Sequence, residues 1–147
     1  MGVVVNIGSG ADTISFESEP TLNSLISLTK VDLDDVNKII LQSMDSPVTL
    51  IPQLAGHLIA AGGKRIRPML TLASARLCGY DGERHKGLAA SVEFIHTATL
   101  LHDDVVDESS LRRGLASANS VWGNQSSILV GDYLFSRCFE MMVEDGS

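Results

Sequence analysis

The feature that most constrains this chain is a long segment, residues 83–108, that contains no proline and only one early glycine. Its pattern predicts a single long helix, and no stretch of the chain shows a two-residue alternation that favours a strand over a helix. Aromatic residues make up only 5% of the sequence, whereas a β-sandwich normally contains more. The sequence therefore favours an all-α fold.

The rest of the chain is also predicted to be helical. Residues 21–45 predict two helices, the first capped by Thr21 and the second by Asp32. Further helices are predicted over 50–61, 68–77 and 118–143, the last with a break near Gly123. No repeat or linker separates these helices. We therefore expect a flexible arm over 1–20 and one helical bundle over 21–147.

Charge, cysteine content and hydropathy exclude several classes of protein. The chain has 18 acidic and 11 basic residues and a net charge of −7, which argues against a nucleic-acid-binding surface. No stretch approaches the roughly 18 apolar residues of a membrane span, and no signal peptide is recognisable at the N-terminus. Cys78 and Cys138 lack a CxxC spacing and predict two buried free thiols. We expect a cytoplasmic protein.

An acidic cluster lies near the end of the long predicted helix. Helical spacing places His96, Asp103 and Asp107 in one stripe within about 40°, with Asp104 turned a further 100° away. Asp103 and Asp107 repel each other and stand at the unfavourable end of the helix dipole. A Mg²⁺ ion, which takes carboxylate oxygens together with substrate phosphates, would neutralise them. The alternative is a solvated acidic helix end.

Two basic pairs favour the metal interpretation. Arg112 and Arg113 follow the acidic cluster closely, and Lys64 and Arg67 stand three residues apart beside the start of a helix. Cations at a helix N-terminus oppose the dipole unless an anion lies between them. Each pair taken alone is more typical of a solvated surface, and His96 alone of a core histidine. Together with the acidic cluster they predict a site for Mg²⁺ and a diphosphate.

Three motifs in order resemble the trans-isoprenyl diphosphate synthases, the polyprenyl synthetase family. Gly62-Gly63-Lys64-Arg65-Ile66-Arg67-Pro68 resembles the GGKxxRP segment, and Asp103-Asp104-Val105-Val106-Asp107 followed by Arg112-Arg113-Gly114 resembles the first aspartate-rich motif with its RRG. The sequences at 92–102 and 119–133 resemble the members that make octaprenyl to decaprenyl diphosphates. The resemblance covers about residues 50–145.

The resemblance implies an all-α bundle around a deep cavity, usually dimeric. It implies that Asp103 and Asp107 hold Mg²⁺ bridging an allylic diphosphate, which Arg112 also contacts. Asp104 belongs to the same motif, but its angle on the helix predicts that it supports these two residues and does not bind the metal itself. It implies that isopentenyl diphosphate is bound by Lys64, Arg67, His96 and Arg113. The implied reaction ionises the allylic C–O bond; the isopentenyl double bond attacks the resulting cation, and a proton is lost.

The sequence departs from the family in one respect and suggests a long product in another. It contains no second DDxxD motif, so we expect the N-terminal half of a synthase that does not catalyse prenyl transfer alone. Ala98 and Thr99 lie on the helix before Asp103, where members with short products tend to carry bulky aromatics. These two small residues therefore predict an open channel for a long chain, unless they only allow close helix packing.

Two rival functions remain at this point. The first is an HD-type metal phosphohydrolase using His102 and Asp103, although these neighbours point about 100° apart on a helix. The second is a non-catalytic helical partner or regulatory subunit of a synthase. Such a partner would not need Lys64, the acidic cluster and Arg113 in combination.

Overall fold

The computed structural model describes residues 22–60 and 63–144. The predicted arm over 1–20, the cap at Thr21 and Gly62 lie outside the described residues. The elements are helices α1 (Leu22–Ser43), α2 (Leu50–Ala60), α3 (Ile66–Leu77) and α4 (Arg84–Val106), strands β1 (Leu111–Arg112) and β2 (Leu115–Ala116), and helices α5 (Ala118–Trp122) and α6 (Asn124–Glu144). The all-α prediction is confirmed, including the long helix and the break at Gly123.

Helix α4 is the centre of the fold, with α1, α3, α5 and α6 packed around it. Phe94 and Leu101 of α4 are buried in the core together with Leu134 of α6. The His102 ring of α4 packs directly against Gly131 of α6, where an added Cβ would overlap it. Because α4 is packed on several sides, it is a rigid base for the residues it carries.

The predicted break in the first helix is wrong. Residues Leu22–Ser43 form one helix, and Asp32 lies in its middle instead of capping a second helix. The Asp32 carboxylate is buried and accepts hydrogen bonds from Nη2 of Arg76 at 2.7 Å and from Nε at 3.1 Å. This tertiary ion pair gives the carboxylate a partner that replaces the backbone N–H groups of a helix cap.

A short hairpin lies where the sequence predicts only a loop. Strands β1 and β2 pair in antiparallel register, with Leu111 opposite Ala116 and Arg112 opposite Leu115. The two residues of the turn, Arg113 and Gly114, both have positive φ, 52° and 82°. That combination is typical of a two-residue hairpin turn whose twist matches the strands. With two residues per strand, the hairpin is too short to show a two-residue alternation.

The prediction that both thiols are buried is half wrong. Both cysteines are free, but Cys78 is exposed at the end of α3 and only Cys138 is buried. Among the described helices, none has the length and apolar character required to cross a membrane. Helix α6 exposes several large apolar side chains, including Leu129, Phe139 and Val143.

Candidate functional site

A cleft of about 530 Å³ lies between the start of α3, the middle of α4 and the turn of the hairpin. Its polar lining consists of Lys64, Arg65, Arg67, Arg113, Glu93 and His96. All four residues that the sequence assigns to isopentenyl diphosphate are among them. The structure therefore brings together side chains that lie as far as 49 positions apart in the chain, from 64 to 113.

The hairpin turn places Arg113 against the segment before α3. An added Cβ on Gly63 would stand only 2.6 Å from Nη1 of Arg113, so the guanidinium lies directly over the glycine backbone. The left-handed conformation of Arg113 is rare for a residue with a side chain and is held by the paired strands on either side. The glycine of the first motif and the arginine of the second thus form one wall of the cleft.

The cleft is strongly positive. Among the residues that the structure describes, four cationic side chains line it and one carboxylate, that of Glu93, opposes them. Burial and the positive charge of Arg67 lower the pKa of His96, against the raising effect of Glu93, and Arg113 and Arg112 lower it further. At neutral pH a histidine with a lowered pKa is uncharged, so it can donate one hydrogen bond and accept another. An anion is the ligand that this excess of positive charge favours.

The acidic cluster lies at the C-terminal end of α4. Asp103 is in the last turn, Asp107 is the C-cap residue, and both side chains are exposed. Asp104 is turned away from them, as its helical position predicts, and is only 3% exposed. Its backbone carbonyl accepts a hydrogen bond from Nδ2 of Asn119 at 3.1 Å, which fixes the end of the helix.

Arg112 forms an ion pair with Asp104 and is not among the residues that line the cleft. Its Nε and Nη2 atoms donate to Oδ2 and Oδ1 of Asp104 at 2.8 Å and 2.6 Å, a bidentate ion pair. The hydrogen bond to Asp104 raises the pKa of Arg112 despite its partial burial, and the charges of Asp104, Asp103 and Asp107 add to this. The contact that the sequence assigns to Arg112, with an allylic diphosphate, stays a prediction.

The two exposed carboxylates suit a hard cation. Asp103 and Asp107 stand four residues apart on α4, a spacing that brings side chains to about 5–6 Å of each other. Within residues 22–60 and 63–144, no group of three or more His, Cys, Asp or Glu side chains forms a metal cage. Mg²⁺ commonly takes only one or two protein carboxylates and completes its shell with waters and substrate phosphates. The donor set therefore fits Mg²⁺ bound jointly with a diphosphate.

The two small residues assigned to chain length differ in their surroundings. Ala98 is fully buried in the core, and Thr99 is half-buried with its hydroxyl donating to the carbonyl of His96 at 2.7 Å. The burial of Ala98 agrees with a role in close helix packing. For Thr99 the chain-length role stays a prediction.

His102 has structural contacts. Its Nε2 atom lies 3.2 Å from the carbonyl oxygen of Ile128 and 3.5 Å from a carboxylate oxygen of Asp132, both on α6. The ring also packs against Phe135. These contacts connect α4 to α6 and give no support to a metal pair with Asp103 of the HD type.

Sequence reasoning missed the ion pair between Arg65 and Glu93. Nη1 of Arg65 donates to Oε1 of Glu93, which is only 9% exposed. The sequence contained a signal for Glu93 as a residue of this cleft, because Glu93 precedes His96 by three residues and so lies on the same face of the helix. A lone carboxylate next to buried Phe94 also requires a cationic partner, and Arg65 in the first motif was the unassigned cation.

Comparison with known proteins supports the interpretation of these motifs. The family model described as "Polyprenyl synthetase" matches residues 48–146. The octaprenyl diphosphate synthase of Escherichia coli K12 is 52% identical over 126 residues, which cover 86% of this chain and 39% of the relative. The all-trans-nonaprenyl-diphosphate synthase of Rhodobacter capsulatus is 46% identical and covers 77% of this chain and 35% of the relative.

A solved structure shares the fold. The polyprenyl synthase of Caulobacter crescentus CB15, complexed with calcium and isoprenyl diphosphate, superposes with a TM-score of 0.84 at 57% identity. The match covers 86% of this chain and 39% of that one. The chain thus spans about two fifths of the length of the relatives that it matches.

Proposed function

Because the chain belongs to the polyprenyl synthetase family, we propose that it carries the isopentenyl diphosphate cleft and the first carboxylate pair of a long-chain trans-polyprenyl diphosphate synthase. The observation that supports this most strongly is the meeting of Lys64, Arg67, His96 and Arg113 in one positive cleft. Relatives at about half identity are named octaprenyl and nonaprenyl diphosphate synthases. The long-chain product and the whole activity are part of the proposal.

The cleft binds isopentenyl diphosphate by its charged end. Lys64, Arg67 and Arg113 donate charge-assisted hydrogen bonds to the diphosphate oxygens, and Arg side chains can do so with two parallel bonds. His96 donates one further hydrogen bond as a neutral ring. The ligand is thereby oriented with its double bond towards the acidic end of α4, which removes most of the entropy cost from the transfer step.

Asp103 and Asp107 would hold Mg²⁺, which when bound supplies positive charge to the diphosphate of the allylic substrate. In the reaction the allylic C–O bond breaks, the isopentenyl double bond forms a bond to the allylic carbon, and a proton leaves the adduct. Arg112 lies beside this end of the helix, where its ion pair with Asp104 fixes the guanidinium, and its contact with the leaving diphosphate is part of the proposal. The protein supplies no covalent nucleophile.

Three further features belong to the proposal. A homodimer is proposed because α6 exposes Leu129, Phe139 and Val143, and the cytoplasm is proposed as its location. That this chain alone does not extend an allylic substrate also stays a prediction. The chain-length role of Ala98 and Thr99 predicts that Ala98→Tyr or Thr99→Phe in an active synthase containing this chain shortens the product.

The function is tested by following labelled isopentenyl diphosphate into chain-extended product, using an active synthase preparation that contains this chain, with Mg²⁺ and an allylic diphosphate. Asp103→Asn and Asp107→Asn should each lower kcat by at least about a hundredfold, since each removes a carboxylate ligand of the Mg²⁺ that would stabilise the leaving diphosphate. Equal activity of both variants and the wild type would contradict the assignment and favour the non-catalytic partner.

A further inference from the structure

One carboxylate lies inside a cleft that otherwise suits an anion. Glu93 is 9% exposed, and it is the one acidic side chain among the described residues that line the cleft. A buried carboxylate near a bound diphosphate costs electrostatic repulsion. Contact with the ligand therefore does not explain the position of Glu93, whereas its ion pair with Arg65 does.

That partner, Arg65, stands at a strained point of the backbone. It immediately precedes α3 with φ 48° and ψ 35°, the left-handed region, and no side chain caps the helix start. Such a conformation is unfavourable for a residue with a side chain and persists only where the surroundings hold it. The side chain of Arg65 is largely buried and reaches across to Glu93 on α4. The ion pair is thus a tether between the strained residue and the rigid central helix.

The tether decides which cations are available to a ligand. Arg65 is turned towards α4 and its guanidinium is used by Glu93, whereas its neighbours Lys64 and Arg67 are exposed and line the cleft. The same segment includes Gly63, whose backbone is in close approach to Arg113. A shift of this segment would move Lys64 and Arg67 directly and would displace Arg113 through its contact with Gly63.

We propose that Glu93 is a positioning residue: through its ion pair with Arg65 it fixes residues 63–67 so that Lys64 and Arg67 face the diphosphate. The inference rests on the proposed function, because it concerns the same cleft. Glu93 itself does not touch the ligand, and Arg65 serves as the tether instead of a fourth diphosphate donor.

A purely electrostatic role for Glu93 predicts the opposite sign. Removing a negative charge from the cleft would by itself tighten binding of an anion. Loss of the tether weakens binding, since a misplacement of about 1 Å in a positioned group can cost up to about a hundredfold. The direction of the change in affinity therefore distinguishes the two roles.

The experiment is calorimetric titration of inorganic diphosphate and of isopentenyl diphosphate into the chain. Glu93→Ala should weaken binding about tenfold, Arg65→Ala should do the same, and the double variant should be no weaker than either single variant. Glu93→Gln keeps an acceptor for Arg65 and should restore most of the affinity. Asp32→Ala removes a similarly buried, Arg-paired carboxylate at the other end of α3 and should leave affinity unchanged.

The outcomes separate the inference from the function on which it rests. If the wild-type chain binds neither probe, both are overturned. If the wild type binds and Glu93→Ala binds equally well or more tightly, only the positioning role is overturned. Affinities are compared at a temperature where circular dichroism shows each variant folded. If Glu93→Ala does not fold, Glu93→Asp keeps the charge but shortens the reach to Arg65: weaker binding than in the wild type supports the positioning role, and unchanged binding overturns it.

Discussion

Two groups of charged side chains lie at opposite ends of α3 and differ in their balance of charge. The anchor cluster joins α1, α3 and the start of α4 and consists of Asp32, Asp35, Arg76, His85 and Lys86. The cleft cluster consists of Lys64, Arg65, Arg67, Arg113, Glu93 and His96. In the anchor cluster, Arg76 binds Asp32 at 2.7 Å and Lys86 binds Asp35 at 3.0 Å.

The difference between the clusters lies in charge balance and not in residue type. In the anchor cluster each carboxylate has a cationic partner, so its charges are balanced within the protein and the ion pairs stabilise the contact of three helices. In the cleft cluster Arg65 pairs with Glu93, and within residues 22–60 and 63–144 the lining holds no second carboxylate for the three further cations. A surplus of positive charge on a rigid scaffold is what an anion-binding site requires.

The largest expected effect separates the clusters by ligand affinity. Lys64→Ala and Arg67→Ala should each weaken isopentenyl diphosphate binding by roughly 10- to 100-fold, the value of one charge-assisted hydrogen bond. Arg76→Ala removes a cation of the anchor cluster and should leave affinity within experimental error. Isothermal titration calorimetry measures the affinity of all three variants for isopentenyl diphosphate. An equal loss of affinity in all three would contradict the difference between the two clusters.

The second effect concerns stability, for which a substitution in the anchor cluster should cost more than one in the cleft cluster. Arg76→Ala removes the two hydrogen bonds that Oδ2 of the buried Asp32 accepts from Arg76 and should lower the free energy of unfolding by about 1–2 kcal/mol. We expect less than for a fully buried pair because the Arg76 side chain is 42% exposed. Urea denaturation checks this. Lys64→Ala is the matched control, since an exposed substitution should stay within about 0.5 kcal/mol.

The third effect concerns the wall shared by Gly63 and Arg113. A methyl group on Gly63 would meet the end of the Arg113 side chain, which is flexible and can move aside. Gly63→Ala should therefore weaken diphosphate binding by about three- to tenfold, through the displaced guanidinium, with little loss of stability. Gly87 in α4 has open space around it, so Gly87→Ala should leave affinity at the wild-type value in the same titration.

The fourth effect is acid sensitivity of the anchor cluster. Hydrogen bonds from Lys38 and Lys86 lower the pKa of Asp35 to about 2. A lowered folded-state pKa stabilises the protein above the unfolded value of about 3.9, and this contribution is lost as the pH falls from about 4 through about 2. Asp35→Asn should therefore narrow the difference in urea midpoint between neutral and acidic buffer. A difference as large as in the wild type would refute this contribution.

The smallest effect is the titration of His96. Its pKa should lie below the ordinary value near 6.5, because burial and Arg67 disfavour the charged ring. Arg67→Ala should raise this pKa towards the ordinary value, while Arg76→Ala should leave it unchanged. Nuclear magnetic resonance of the ring protons over pH 5–8 measures the shift. If the pKa of His96 is the same in Arg67→Ala as in the wild type, the proposed closeness of the two groups is contradicted.

The sequence predicted the cleft better than the anchor cluster. Lys64, Arg67, His96 and Arg113 were chosen from motifs and helical spacing, and the fold places all of them in one cleft. Helical periodicity also placed Asp104 apart from its neighbours. The placement of these residues could be foreseen because each belongs to one helical face or to a motif of adjacent residues, whereas the binding of isopentenyl diphosphate in the cleft stays a prediction.

Two of the failures share one physical cause. Asp32 was predicted as a helix cap because its partner, Arg76, is 44 positions away and becomes a neighbour only through packing of α1 on α3. The ion pair of Arg65 with Glu93 spans 28 positions and was missed for the same reason. Pairing partners of charged residues depend on which helices meet, and a single sequence carries little information on that contact.

The most direct test of the central claim is a titration of isopentenyl diphosphate into the ¹⁵N-labelled chain, followed by amide and side-chain resonances. The account predicts that shifts concentrate at Gly63, Lys64, Arg67, His96 and Arg113, and that Arg76 and Lys86 stay unchanged. Shifts centred on the anchor cluster, or an unchanged spectrum at millimolar ligand, would contradict the claim that the unbalanced cleft cluster is the diphosphate site.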